Sequence, residues 1–158
     1  MIPTIELKTE TINKLDLSPA KEILEPVLKS KEIAAIEQKI KFEIDYNRDP
    51  SDPRELSEIP EVRLYFVRLD ACYPWLPIVL DWKEGELGRY TAMLVPHQFS
   101  RSDGIQYNPE ALEIFVMHKI FTINEWLKQM DISGQSRLKS MAQTLGYEID
   151  DPFLELIK

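Results

Sequence analysis

A chain of 158 residues can bury its own core without disulfides or metal, and 44% hydrophobic with 29% charged residues is ordinary for a soluble globular fold. The net charge of −8 argues against nucleic acid and anionic membranes as partners, because phosphate binding draws its affinity from clustered lysine and arginine. The one cysteine, Cys72, excludes an internal disulfide and any zinc or iron–sulfur centre built mainly of thiolates, and it reads as a small buried apolar residue beside prolines. No apolar run is long enough to span a membrane, so direct membrane insertion is not expected. The first ten residues have neither the apolar core of a secretion signal nor the basic, acid-poor character of a transit peptide, which predicts a soluble protein of a reducing compartment.

In chain order, Ile5 to Leu7 alternates apolar with polar and predicts an edge strand. Ser18 before Pro19 is a helix start, with Ile23, Leu24, Val27 and Leu28 inward and Pro26 interrupting or kinking the helix. Ile33 to Ile36 reads as a helical turn. Ile40, Phe42, Ile44 and Tyr46 then alternate with charged residues, the pattern of a half-buried strand. Asn47 to Glu55, with two prolines and many charges, is a loop leading into a helical turn near Ile59.

The stretch from Val62 to Trp82 holds the densest run of β-branched and aromatic residues, and predicts two core strands joined by a turn at Pro74 and Pro77. Glu86 to Met93 is read as helix, and Ser100 to Gly104 as a turn. Asn108-Pro109 starts a helix to Phe121 that is apolar on most sides and so expected to be buried. Thr122 with Glu125 has the form of a capping box, stapled by Phe121 and Trp126, which predicts a restart there. Ser136 to Leu145, ended by Gly146, and a turn from Asp151 complete the chain. The expected class is α+β: a single domain with a small, mainly antiparallel sheet packed by the C-terminal helices.

Chemistry has few carriers. His97 and His118 lack metal-ligand spacing, His118 falling in a helix and His97 in a loop. Asp45, Asp70 and Asp81 each fall near a predicted strand end, and with His97 they would make a metal-dependent hydrolase if those ends converged. Nucleophile elbows and phosphate-binding glycine loops are absent, and only five glycines are present. Ala142 and Gly146 have helix-turn-helix spacing, but three acids and a proline follow where a recognition helix would have to meet phosphates.

Surface recognition remains. Tyr73 and Trp75, His97 and Gln98, and Gln106 and Tyr107 stand in stretches read as proline-stiffened loops or helix starts, where aromatic and amide groups make interface anchors. Asp45, Asp49, Asp52, Arg54, Arg68 and Asp70 add charge. The expectation is a partner-binding protein without metal, cofactor or catalysis; a dimerising scaffold, marked by a large apolar patch, is a further alternative.

Several blocks carry a family resemblance. They include Pro53-Arg-Glu-Leu-Ser-Glu-Ile-Pro60, Leu69-Asp-Ala-Cys-Tyr-Pro-Trp-Leu-Pro77, Leu80-Asp-Trp-Lys83, Met93-Leu-Val-Pro-His-Gln-Phe99 and Gly104-Ile-Gln-Tyr-Asn-Pro-Glu-Ala-Leu-Glu-Ile-Phe-Val-Met117. With Trp126 to Gln129 and Met141 to Gln143, the sequence from about Phe42 onward resembles the chlororespiratory reduction 6 family, while residues 1–40 form a variable N-terminal part. The resemblance implies an assembly factor for the photosynthetic NADH-dehydrogenase-like complex of cyanobacteria and chloroplasts. It implies as partner the I subunit, a ferredoxin-like protein with two iron–sulfur clusters, and a place in the cyanobacterial cytoplasm or the stroma, transiently at the thylakoid surface. It brings no catalytic residues.

Overall fold

A computed structural model describes residues 3–30 and 37–157; the turn expected at Ile33–Ile36 and the side chain of Val27 lie outside the described residues. The class is α+β, and the backbone groups into two compact units, Met1–Leu94 and Val95–Lys158.

In the first unit, β1 (Thr4–Lys8) pairs in parallel with β2 (Lys41–Asp45), with Ile5 opposite Phe42 and Leu7 opposite Ile44. A parallel pair needs a crossover, supplied here in part by α1 (Thr9–Asn13) and α2 (Ser18–Ser30). Helix α2 starts at Ser18 as expected, but the Ser18 hydroxyl, which that start pattern would have capping free amides, is turned to a carboxylate. Asp16 Oδ1 accepts from both the Ser18 amide (3.0 Å) and the Ser18 hydroxyl (2.6 Å), so aspartate does the capping. Nor does Pro26 end the helix: the carbonyl it leaves without a donor belongs to exposed Glu22, where water can serve it.

The largest correction concerns Val62–Trp82. Those residues form no core strands but α3 (Pro60–Cys72) and the short α4 (Leu76–Val79), followed by one parallel bridge from Leu80 to Ile40. Pro60 occupies the first helical position, where no amide is missed. Val62, Tyr65, Phe66 and Leu69 are buried at i, i+3, i+4 and i+7, whereas Leu64 and Val67, which a strand would have buried, are half exposed. A 3-10 turn (Leu56–Glu58) precedes α3, and α5 (Glu86–Leu94), a helix as read from the sequence, packs on α3.

The core of this unit is an aromatic cluster. Phe66 meets Phe42 edge-on at 5.0 Å, Tyr90 at 5.8 Å and Tyr65 at 6.0 Å, while Phe42 and Tyr90 stack at 6.2 Å. Its polar edges are satisfied. Tyr65 donates to the Asp16 carbonyl (2.7 Å), Tyr90 to Asp70 Oδ1 (2.7 Å), and buried Glu86 accepts from Arg89 (3.2 Å) and the Phe42 amide (3.4 Å).

In the second unit, β3 (His97–Ser100) and β4 (Gly104–Tyr107) form an antiparallel hairpin, so both stretches taken for loops or helix starts are paired strands. Its turn is the expected Ser100–Gly104, closed by Gly104 at φ +75, a conformation glycine adopts without steric cost. Asn108 caps α6 by accepting from the Ala111 amide (3.0 Å).

Helix α6 runs unbroken from Pro109 to Gln129, so the expected restart at Thr122 does not occur. The staple partner Phe121 instead meets Phe153 at 5.9 Å. Only one face of α6 is covered: Val116, Lys119, Ile120, Ile123, Asn124 and Leu127 are buried, while Ile114 and Phe121 face outward. Helix α7 (Gln135–Thr144) packs on it through Leu138, Met141 and Ala142 and stops at Gly146, φ +93. Asp150 then caps α8 (Asp151–Leu156) at the Phe153 amide (2.9 Å), and Asn124 ties α6 to the Ile157 carbonyl (2.7 Å).

Candidate functional site

Four of the expected partner-binding residues lie together in chain order at and beyond the end of β2. Asp45 is its exposed last residue, and the strand end is moored to α1 by Tyr46, whose hydroxyl donates to Asn13 (2.9 Å), and by Thr9, which accepts from the Asn47 amide (2.6 Å). Beyond it, Asp49 accepts from the amide (2.8 Å) and hydroxyl (2.6 Å) of Ser51, closing an Asx turn. Asp52 accepts from the Arg54 amide (3.0 Å) and takes its guanidinium through Nε (3.0 Å) and Nη2 (2.8 Å), a fork against a carboxylate. Arg48 donates to the Arg54 carbonyl. The loop therefore presents its carboxylates in set positions.

Hydrogen bonds from the side chain and backbone of Arg54 hold Asp52 at a pKa of about 2, against an ordinary 3.8. Because the folded value lies below the unfolded one, the charged form favours the folded loop; that contribution is complete above the ordinary value and is lost as pH falls toward 2. A carbon-detected NMR titration should find the Asp52 midpoint near 2 and, in Arg54→Ala, back toward 3.8. An unmoved midpoint would show that Arg54 does not hold the carboxylate.

Of the other expected residues, Arg68, Asp70, Tyr73 and Trp75 stand elsewhere in the first unit, and His97, Gln98, Gln106 and Tyr107 on the hairpin of the second. Arg68 and Asp70 lie on α3, Arg68 exposed and Asp70 bound by Tyr90. Tyr73 and Trp75 are 8% and 4% exposed, pack edge-on at 5.7 Å, and so serve the core where anchors were expected. Cys72 corrects the other way: the thiol is exposed. On the hairpin, His97 and Tyr107 face each other at 6.1 Å, His97 Nδ1 donating to the Val95 carbonyl (2.9 Å) and Tyr107 pushed up in pKa by burial. Gln98 and Gln106 pair on the opposite, exposed face.

The aspartates proposed for catalysis each keep separate company. Asp45 is exposed at a strand end, Asp70 accepts from Tyr90, and Asp81 pairs with Lys41 at 3.8 Å and accepts from the Glu84 amide. Among the described residues, no group of three or more His, Cys, Asp or Glu is placed to hold a metal ion, and no helix is long and apolar enough to cross a membrane.

Beside Ile114 and Phe121 on α6, sequence reasoning missed two further exposed apolar pairs. Leu64 and Val67 stand out from α3 at 50% and 49% exposure, hidden from a reading that made both faces of a strand buried. Phe99 and Ile105, a cross-strand pair on the His97 face of the hairpin, are 46% and 37% exposed.

No solved structure matches the chain. A family model described as chlororespiratory reduction 6 matches residues 7–156, reaching well into the N-terminal part that the recognisable blocks leave out. The chain belongs to this family, and with it to the biogenesis of the chlororespiratory NADH-dehydrogenase-like complex.

Proposed function

We propose that this protein is a non-enzymatic, chaperone-like assembly factor that binds the I subunit of the photosynthetic NADH-dehydrogenase-like complex while that subunit matures or is incorporated. The observation that carries the reading is the family match over residues 7–156. Two features of the chain support it. A single exposed cysteine cannot supply the four thiolates that a four-iron cluster takes, so this chain's contribution to a cluster protein is contact with the polypeptide. The acidic loop of Asp45, Asp49 and Asp52 suits basic contacts on a client that must stay shielded until docking. The site of action is the cyanobacterial cytoplasm or the equivalent stroma.

The test is binding of the recombinant I subunit to the purified protein, backed by affinity capture from a photosynthetic extract. Reversing charge at Asp45→Lys, Asp49→Lys and Asp52→Lys together should weaken binding roughly tenfold at low salt, with the difference shrinking as salt is added. Equal affinity of the triple variant at low salt would remove this loop from the interface. Failure of the I subunit to bind at all would remove the reading itself.

A further inference from the structure

Helix α3 has two apolar faces. Val62, Tyr65, Phe66 and Leu69 fill the core, and on the opposite side Pro60, Leu64, Val67 and Ala71 follow at i, i+4, i+7 and i+11. That second row is exposed throughout and runs about 17 Å along the helix at 1.5 Å per residue. The main packing neighbours of α3, namely α1, α5 and the 3-10 turn, leave Leu64 and Val67 half open to solvent. Arg68 flanks the row on one side, and its guanidinium makes no ion pair or hydrogen bond among the described residues.

We infer that this row is the seat of an amphipathic helix of the client, which lays its own apolar ridge along Leu64, Val67 and Ala71 and sets a carboxylate against Arg68. The inference rests on the client-binding reading above and names a second contact, opposite in sign to the acidic loop. An unpaired guanidinium beside apolar surface selects a carboxylate, because its planar fork matches one and the apolar surroundings strengthen the pair once water is excluded. The spacing selects a helix, whose ridges fit a row at i, i+4, i+7. Size argues against a second copy of this chain: a single row of three turns falls well short of the roughly 800 Å² per partner that a stable dimer buries. A small contact also suits a factor that must release its client.

Cys72 supplies the measurement. It is exposed one turn beyond Arg68 on the same flank and is the chain's only cysteine, so maleimide labelling of the full chain, followed by intact mass, reports whether the row is covered. Saturating I subunit should slow labelling severalfold. Leu64→Glu and Arg68→Glu should each weaken binding about tenfold or more, with Arg68→Lys intermediate. Unchanged labelling in a complex that still forms, with Leu64→Glu binding normally, would overturn this inference and leave client binding intact. No binding at all would overturn both. Slow labelling in the protein alone, together with a doubled mass in solution, would assign the row to a second copy and overturn the inference as well.

Discussion

Phe66→Ala should destabilise the protein by about 3–5 kcal/mol, the cost of removing a buried phenyl ring and leaving a cavity. The ring is 1% exposed and stands between Phe42, Tyr65 and Tyr90, at centroid distances of 5.0, 6.0 and 5.8 Å. Its removal leaves the stacked Phe42 and Tyr90 without the edge-on partner that both share. It also loosens the join between β2, α3 and α5, to which those rings belong. Since domains of this size are stable by only about 5–15 kcal/mol, urea denaturation should show a large fall in midpoint. By contrast, Leu64→Glu, two residues earlier on the exposed row, should stay within about 0.5 kcal/mol of the parent. A loss of similar size at both positions would mean that α3 is buried on both sides, as a central strand would be.

Thr122→Pro should cost about 3 kcal/mol or more, through a lost amide donor and a clash with the carbonyl one turn back. The reasoning depends on α6 being continuous: the residue four positions earlier is His118, well inside the helix from Pro109 to Gln129. Had the helix restarted at Thr122, proline near that junction would be tolerated, because amides in a first turn have no partner to lose. Thr122 is only partly buried, so the effect would not be confused with deletion of a core side chain. Retained helical circular dichroism with an unchanged denaturation midpoint would contradict the unbroken helix.

The contrast between these two helices shows what could be read from residues alone. Where pattern and local capping agreed, the element was legible: the alternation from Ile40 to Tyr46, the Asn108 cap, the Ser100–Gly104 turn, the stop at Gly146 and the last turn from Asp151 all stand in the structure. Val62–Leu69 was ambiguous by nature. Apolar side chains at 62, 64, 66, 67 and 69 satisfy a two-sided strand, while 62, 65, 66 and 69 satisfy one helix face, and β-branched and aromatic composition tipped the choice the wrong way. Pro60, two residues ahead, was the unused signal for a helix start. At Thr122 a local cap motif lost to the continuous buried row of Val116, Ile120, Ile123 and Leu127.

For the candidate surfaces the division is similar. The Asx turns of Asp49 and Asp52 depend on residues two apart, so their loop was legible. Whether Tyr73, Trp75 and Cys72 face inward or outward depends on which elements fold over them, and no local pattern carries that.

The parallel pairing of β1 with β2 governs the order in which the first unit can assemble. Ile5 meets Phe42 across a separation of 37 positions, so closing that loop costs chain entropy before any pairing rewards it, whereas the β3–β4 hairpin closes across a handful of residues. During synthesis, the opening segment must wait, unpaired and carrying Ile5 and Leu7, until Asp45 has emerged from the ribosome. Trimming the chain ahead of Thr9 would strand β2 with a bare edge.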